Sequence, residues 1–293
     1  MSGSPCRIEF CNVTFYYEDR LVLDGASFCV LPGEMKVILG GSGSGKSTLL
    51  KLAIGLTKPG SGQILIDSLE ITGLDEEQLI ELRRRVGMVF QEGALFDSLT
   101  VYDNVAYRPR ELDWSEEKID REVSRVLSFV GLLDAADKLP AELSGGMKRR
   151  VAIARAIVDH PDIILFDEPT SGLDPPTARL ICELAIKLRD IDGVTSMFVT
   201  HSLDDVRFLA SRCAVVTPRG VEVHGEDSRL CRSNTRFIFL DGGKIIFDGT
   251  GEQLWAAQDP RIRYFLLNGE ESDEAEVISE SDVGPALVDR AGN

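Results

Sequence analysis

Apolar runs and helical periodicities alternate along most of this chain. Residues 7–31 and 62–67 are rich in β-forming positions, with Asp24-Gly25 and Pro32-Gly33 as turn candidates between runs. Met35 to Leu39 is a short apolar run of the length of a buried strand, and Ser47 to Leu56 has the pattern of a helix. Asp75 is placed to cap a helix with Leu79, Leu82 and Val86 on one face. Between 115 and 130, Ile119, Val123, Val126, Leu127 and Val130 recur at helical spacing. Residues 162–166 and 195–200 are short apolar strands. Between them, Asp174 and Pro175 predict an N-cap and first turn for a helix to about Asp190. Strands alternating with helices predict an α/β fold around a mainly parallel sheet.

Composition narrows the class without deciding it. The 293 residues give ample material for a core. No apolar run approaches the roughly 18 residues that a membrane span needs, and Met1 to Pro5 carries no signal-peptide pattern. The net charge of −16 argues against a broad nucleic-acid surface. It is concentrated at the end: residues 269–293 hold eight acids and one base, which predicts a solvated, disordered tail. Six cysteines, at 6, 11, 29, 182, 213 and 231, are scattered without a C-x-x-C pair. That spacing predicts reduced, mostly buried thiols, with no disulfide framework and no metal site.

The chemistry begins at Gly40-Gly41-Ser42-Gly43-Ser44-Gly45-Lys46-Ser47-Thr48, which fits G-x-x-x-x-G-K-[S/T] between a strand and a helix. Glycines let the backbone curl so that N–H groups face a polyphosphate, and the helix adds its positive end. Lys46 is expected to reach the β- and γ-phosphates, and Ser47 to hold Mg²⁺. A second signal is Ile163-Ile164-Leu165-Phe166-Asp167-Glu168, an apolar strand ending in two carboxylates. Asp167 suits the metal, and Glu168 suits the group that orients or deprotonates water. Strand ends often expose acids, so this pair gains weight only from following the glycine loop.

Leu143-Ser144-Gly145-Gly146-Met147, before the helix from Lys148 to Ala156, resembles the signature of the ABC ATPase family. Other elements follow in the family's order. Tyr17 matches the aromatic that stacks on adenine. Gln91 matches the glutamine at the helical-subdomain junction, with a metal and catalytic contact implied. Ser171-Gly172-Leu173-Asp174 matches the D-loop, and His201 the switch histidine. The resemblance covers residues 7 to about 250. It implies a P-loop NTPase with an N-terminal antiparallel β-subdomain and an inserted helical subdomain at about 92–160, within one domain at 1–268. It also implies ATP and Mg²⁺ as cofactors, with a nucleotide bound between two copies of the chain. One copy would supply residues 40–48 and the other Ser144 to Met147, with Asp174 of the D-loop a further nucleotide contact.

A finer resemblance is to the Mla/Mce-type lipid-transport ATPases. It rests on Gln91 to Tyr107, with Gly93-Ala94-Leu95-Phe96 and Val101-Tyr102-Asp103-Asn104-Val105-Ala106-Tyr107, on Met147, and on Asp259 to Leu266. It implies a transmembrane permease and an Mce-domain lipid-binding protein as partners, no nucleic acid, and a peripheral position on the cytoplasmic face of the inner membrane. Leu95, Phe96, Val101 and Tyr102 are then candidates to line the permease-docking cleft. An ATPase of a polar amino-acid importer shares much of this frame and is the alternative. An ABC-type ATPase of DNA repair or translation fits less well, without a coiled-coil insertion or a zinc-ligand set. Residues 218–236, with His224 and Cys231, depart from the family pattern and are expected to form an inserted loop or hairpin ahead of a hairpin at 237–247.

Overall fold

A computed structural model describes residues 6–218, 220–225 and 234–268. The chain begins with β1 (Ile8–Tyr17), β2 (Arg20–Val30), β3 (Met35–Leu39) and α1 (Lys46–Ala53). β4 (Ser61–Ile66), β5 (Leu69–Glu70), α2 (Glu76–Arg83) and β6 (Val86–Val89) follow. Next come α3 (Val101–Glu111), α4 (Glu116–Phe129) and α5 (Gly145–Ile157). β7 (Ile163–Asp167), α6 (Pro175–Asp190), β8 (Thr195–Val199), α7 (Leu203–Ala210), β9 (Arg212–Thr217) and β10 (Gly220–Gly225) lead into β11 (Thr235–Asp241). β12 (Lys244–Thr250), α8 (Gly251–Trp255) and α9 (Pro260–Asn268) close the described part.

Among the described residues, β12-β11-β3-β8-β7-β6 form the central sheet, parallel except for the β11–β12 pair. β2-β1-β4-β5 form a separate antiparallel sheet. Both faces of the central sheet are covered, which is why β3 and β8 are buried at every position. The two-residue period divides their side chains. Val37, Leu39, Phe166 and Phe198 join the core under α3–α7, whereas Ile38, Leu165, Met197 and Val199 join the core under α1, α2 and the antiparallel sheet. This is the P-loop α/β architecture that the glycine loop and strand order imply, with an antiparallel β-layer before it and helices inserted between β6 and β7.

Local signals explain several boundaries. Asp75 caps α2 in a reciprocal capping box with Gln78, worth about 0.5–2 kcal/mol. Ser115 caps α4, and Ile119, Val123, Val126 and Leu127 form its buried stripe. Asp174 caps α6, with Pro175 in its first turn. Other expectations are corrected. Asp24-Gly25 lies inside β2, not in a turn. Gly25 instead takes a positive φ of 64° near an irregularity in the β1–β2 register. Val86 belongs to β6 rather than to the α2 face, because α2 ends at Arg83.

The cysteine reading is also corrected. Cys6 and Cys29 form a disulfide, and Cys213 is disulfide-bonded as well. Antiparallel pairing sets Ile8 opposite Val30 and so brings the ends of β1 and β2 together across 23 residues of sequence. A search for close cysteine spacing cannot detect such a pair. Cys11 and Cys182 are free thiols. In the 218–236 region, β10 pairs antiparallel with β9, and Thr235 and Arg236 already belong to β11. Cys231, with residues 219 and 226–233, and the acidic tail at 269–293 lie outside the described residues. No helix among the described residues is long and apolar enough to cross a membrane.

Glu122 on α4 gives a testable contribution. Arg125 holds its carboxyl down to about 2, with help from His160 and Arg121 and against the effect of burial. Its value in the unfolded chain is near the ordinary 4.5. The folded pKa is depressed, so the stabilisation is fully present above about 4.5 and is lost as pH falls towards about 2. The melting-temperature difference between wild type and Glu122→Gln should therefore shrink across that window. A difference independent of pH would contradict the assignment.

Candidate functional site

The strand register decides which groups can meet. Val199 at the end of β8 is the partner of Ile38 in β3 on one side and of Asp167 in β7 on the other. The segments leaving β3, β7 and β8 therefore emerge side by side at one sheet edge, where parallel α/β folds place ligands. The first is Gly40 to Gly45. Gly40 has φ 146°, and a Cβ there would lie 2.1 Å from the Leu240 carbonyl oxygen. Gly45, the N-cap of α1, has φ 104° and presses against Val22 and Leu23. Only glycine fits this path closely against β11 and β2. The buried Ser44 hydroxyl has no hydrogen-bond partner.

Lys46 is buried at the start of α1 and donates from Nζ to the carbonyls of Gly40 (2.7 Å) and Gly41 (2.8 Å). Its charge is thus held inside the glycine loop. Ser47 donates from Oγ to Asp167 Oδ1 at 2.6 Å. Burial pushes the Asp167 carboxyl up; the Ser47 hydroxyl bond pulls it down, and the neighbouring Glu168 charge raises it further. A desolvated carboxylate beside a serine hydroxyl is a hard-oxygen pair of the kind that takes Mg²⁺.

Glu168 has a positive φ of 46°, rare for a residue with a side chain. Its backbone N–H donates to Val199 O at 3.1 Å, and its Oε2 lies 3.2 Å from His201 Nδ1. The hydrogen bond with His201 holds Glu168 below the usual carboxylate range, outweighing burial. Around this pair is a cavity of about 200 Å³, lined by Glu168, Ser171, Leu173, Arg179, His201 and Asp204 among others.

The remaining expected residues lie in three places. Gln91 Nε2 is 3.4 Å from Ser171 Oγ. Ser144 caps α5, accepting from the Met147 N–H at 3.3 Å. A Cβ on Gly146 would meet Thr177 Cγ2 at 2.2 Å, so this glycine permits close contact between α5 and the start of α6. Asp174 caps α6 through Thr177, and the Thr177 hydroxyl bond holds its carboxyl low. Tyr17 is about half exposed at the end of β1, edge-on to Phe15. Among the docking candidates, Val101 is fully buried and lines no surface; Leu95 and Tyr102 are partly buried against the core; Phe96 is exposed and packs on Tyr107 at 4.8 Å.

Several groups escaped the sequence reading. Arg149 is buried and donates to the carbonyls of Pro169 (3.1 Å) and Ser171 (3.4 Å), joining α5 to the segment after Glu168. Arg155 similarly holds the carbonyls of Gly93 and Ala94. Asn104 is fully buried. It donates to the carbonyls of Phe96, Leu99 and Thr100 and accepts from the Phe96 N–H, which shapes the segment after Gln91. Asp205 is buried with Thr170 and Thr200. A basic run before an apolar helix signals a solvated face, and only the fold turns Arg149 inward.

A glycine loop, a strand-end carboxylate pair and a capped signature helix on this sheet define an ATP-binding cassette. Residues 23–171 match the family model described as ABC transporter. The chain is 38% identical over 260 residues to the intermembrane phospholipid transport system ATP-binding protein MlaF of Haemophilus influenzae, covering 88% of this chain and 89% of that protein. It is 39% identical to the methionine import ATP-binding protein MetN of Corynebacterium diphtheriae, over 77% of this chain and 67% of that one. It superposes with a TM-score of 0.69 on the ATP-binding cassette MJ0796, solved as a dimer in a post-hydrolysis state with ADP and Pi bound. That match is 33% identical and covers 83% of this chain and 98% of the other. The chain belongs to the ABC transporter family and is an ATP-binding, ATP-hydrolysing cassette.

Gly40→Ala tests the loop's path directly. The new methyl meets a backbone oxygen that cannot move without β11, so nucleotide binding should be lost and the melting temperature should fall by roughly 5 °C or more. Wild-type nucleotide affinity in this variant would contradict the loop geometry.

Proposed function

We propose that this chain energises a membrane permease that moves phospholipid or another hydrophobic lipid, and that it works as a pair of identical subunits closed around ATP. The catalytic part rests on one observation above all: the Ser47–Asp167 and Glu168–His201 contacts flank the glycine loop at a single sheet edge. Lys46 and the backbone N–H groups of 40–48 bind the β- and γ-phosphates. Tyr17 stacks on adenine. Ser47, Asp167 and Gln91 would hold Mg²⁺, which when bound offsets phosphate charge. Glu168, kept ionised by His201, accepts the proton of the attacking water. His201 also orients that water and contacts the γ-phosphate. Ser144, Gly145, Gly146 and Asp174 of the second copy complete the site, so hydrolysis follows closure.

Lipid as the cargo is supported by the extent of the likeness to MlaF, which runs through 88% of this chain and 89% of that protein. The likeness to MetN stops at 67% of that protein. Under this reading the partners are a transmembrane permease and an Mce-domain lipid-binding protein. The exposed Phe96–Tyr107 pair, in the segment that follows Gln91, is a contact for the permease at the cytoplasmic membrane face. The identity to the methionine-import relatives favours a second reading, a small-solute importer. Isolating the native complex and identifying its membrane subunit and bound lipid separates them: a permease with an Mce-domain protein and lipid supports the first, and an amino-acid permease without them overturns it.

Three substitutions should fail at different stages. Glu168→Gln should bind ATP and accumulate as an ATP-trapped dimer on size exclusion, with turnover reduced by about 100-fold or more. Lys46→Ala should lose affinity for a fluorescent ATP analogue, since it removes the charge paired with phosphate. His201→Ala should bind ATP and dimerise but hydrolyse slowly; activity within about twofold of wild type would remove its role.

A further inference from the structure

Asp205, four residues beyond His201, has no part in the site as derived from motifs. It stands in the first turn of α7, where an acid ordinarily faces solvent and favours the helix N-terminus. Here it is only 3% exposed. Its Oδ2 accepts from two hydroxyls, Thr170 Oγ1 at 2.5 Å and Thr200 Oγ1 at 2.7 Å. Its Oδ1 accepts from Cys182 Sγ on α6 at 3.6 Å. Thr170 and Thr200 are themselves buried.

The two hydroxyls belong to the two segments that carry the reacting groups. Thr170 follows Glu168 by two residues, and Thr200 immediately precedes His201. Glu168 and His201 then meet at 3.2 Å. The connections close a ring: Glu168, Pro169, Thr170, Asp205, Thr200, His201 and back to Glu168. A single buried oxygen therefore ties the end of β7 to the end of β8. Two further bonds brace the same ring. The Glu168 N–H donates to Val199 O at 3.1 Å, and the Ser202 N–H donates to Thr200 Oγ1 at 3.0 Å. Glu168 needs such bracing, because its positive φ is unfavourable unless its surroundings hold it.

We propose that Asp205 is a positioning residue that holds Glu168 and His201 at their working separation through Thr170 and Thr200. The proposal rests on the catalytic reading of Glu168 and His201 given above. The buried carboxylate acts on the geometry of that pair and on neither nucleotide nor water directly. Hydrogen bonds to a charged acceptor are stronger than neutral ones, and in a dry interior they are rigid. Small displacements of a catalytic pair cost rate out of proportion to stability. Lys46 and Ser47, which carry most of the phosphate binding, sit on α1 outside the ring, so nucleotide affinity should change little although His201 contacts the γ-phosphate.

Thr200→Val keeps the side chain's shape and removes the hydroxyl; Thr200→Ser keeps the hydroxyl and removes the methyl. Asp205→Asn keeps the volume and removes the charge. Steady-state ATPase activity of the full chain, the affinity for a fluorescent ATP analogue and the melting temperature are measured for each, with Glu168→Gln in parallel. Thr200→Val and Asp205→Asn should lower kcat by about tenfold or more, with ATP affinity within about twofold of wild type. Thr200→Ser should recover most of the rate. Wild-type kcat in Thr200→Val overturns the proposal. So does a loss in Thr200→Ser as large as in Thr200→Val, which would assign the effect to packing, and so does a loss of ATP affinity that accounts for the whole effect. If Asp205→Asn does not fold, the two Thr200 variants decide alone. Full turnover in Glu168→Gln would instead overturn the catalytic reading, whereas an inactive Glu168→Gln beside a fully active Thr200→Val overturns only the role of Asp205.

Discussion

The parallel pairing of β3, β8 and β7 sets Ile38, Val199 and Asp167 in one row across the sheet. The Ser47–Asp167 and Glu168–His201 contacts depend on that row. The glycine loop lies more than a hundred residues before the carboxylate pair and His201 in sequence, yet all three leave neighbouring strands at the same height. A shift by one residue in either pairing would turn the inward and outward faces of a strand over. Such a shift is opposed by both hydrophobic cores, because Val37, Leu39 and Phe198 face one and Ile38, Met197 and Val199 face the other. The packing that stabilises the sheet is thus the same packing that aligns the chemistry.

Buried polar groups then fix the loops that the sheet brings near. Arg149 ties the signature helix to the segment after Glu168 through two carbonyls, and Asp205 reaches the same segment from α7. Losing one partner of such a contact would leave an unsatisfied buried group and cost about 1–3 kcal/mol, more where it is charged. The signature helix, the carboxylate strand and the histidine segment are therefore joined within one chain before a second copy arrives.

Much of this was legible in the sequence where the signal is local. The stripe of Ile119, Val123, Val126 and Leu127 with Ser115 before it specifies α4, and Asp174 with Pro175 specifies the start of α6. The glycine loop and Asp167-Glu168 stood out in the sequence by residue type and spacing, and the fold sets both at one sheet edge. What escaped depends on partners distant in sequence. Asp24-Gly25 resembles a turn, but pairing with β1 keeps it in a strand. The Cys6–Cys29 bond follows from hairpin closure, not from cysteine spacing. Asp205 has the sequence signature of an exposed helix start, and only the burial of Thr170 and Thr200 beside it reveals a different use.

One sheet edge assembles the glycine loop, the carboxylate pair and His201, and under the proposed function a second copy completes the site. The most direct measurement is a structure of the Glu168→Gln chain with ATP and Mg²⁺. It should show two copies closed around two nucleotides, with Lys46 on the phosphates, Mg²⁺ near Ser47 and Asp167, and the partner's signature segment against the γ-phosphate. A nucleotide seated away from residues 40–48, or one fully enclosed by a single copy, would contradict it.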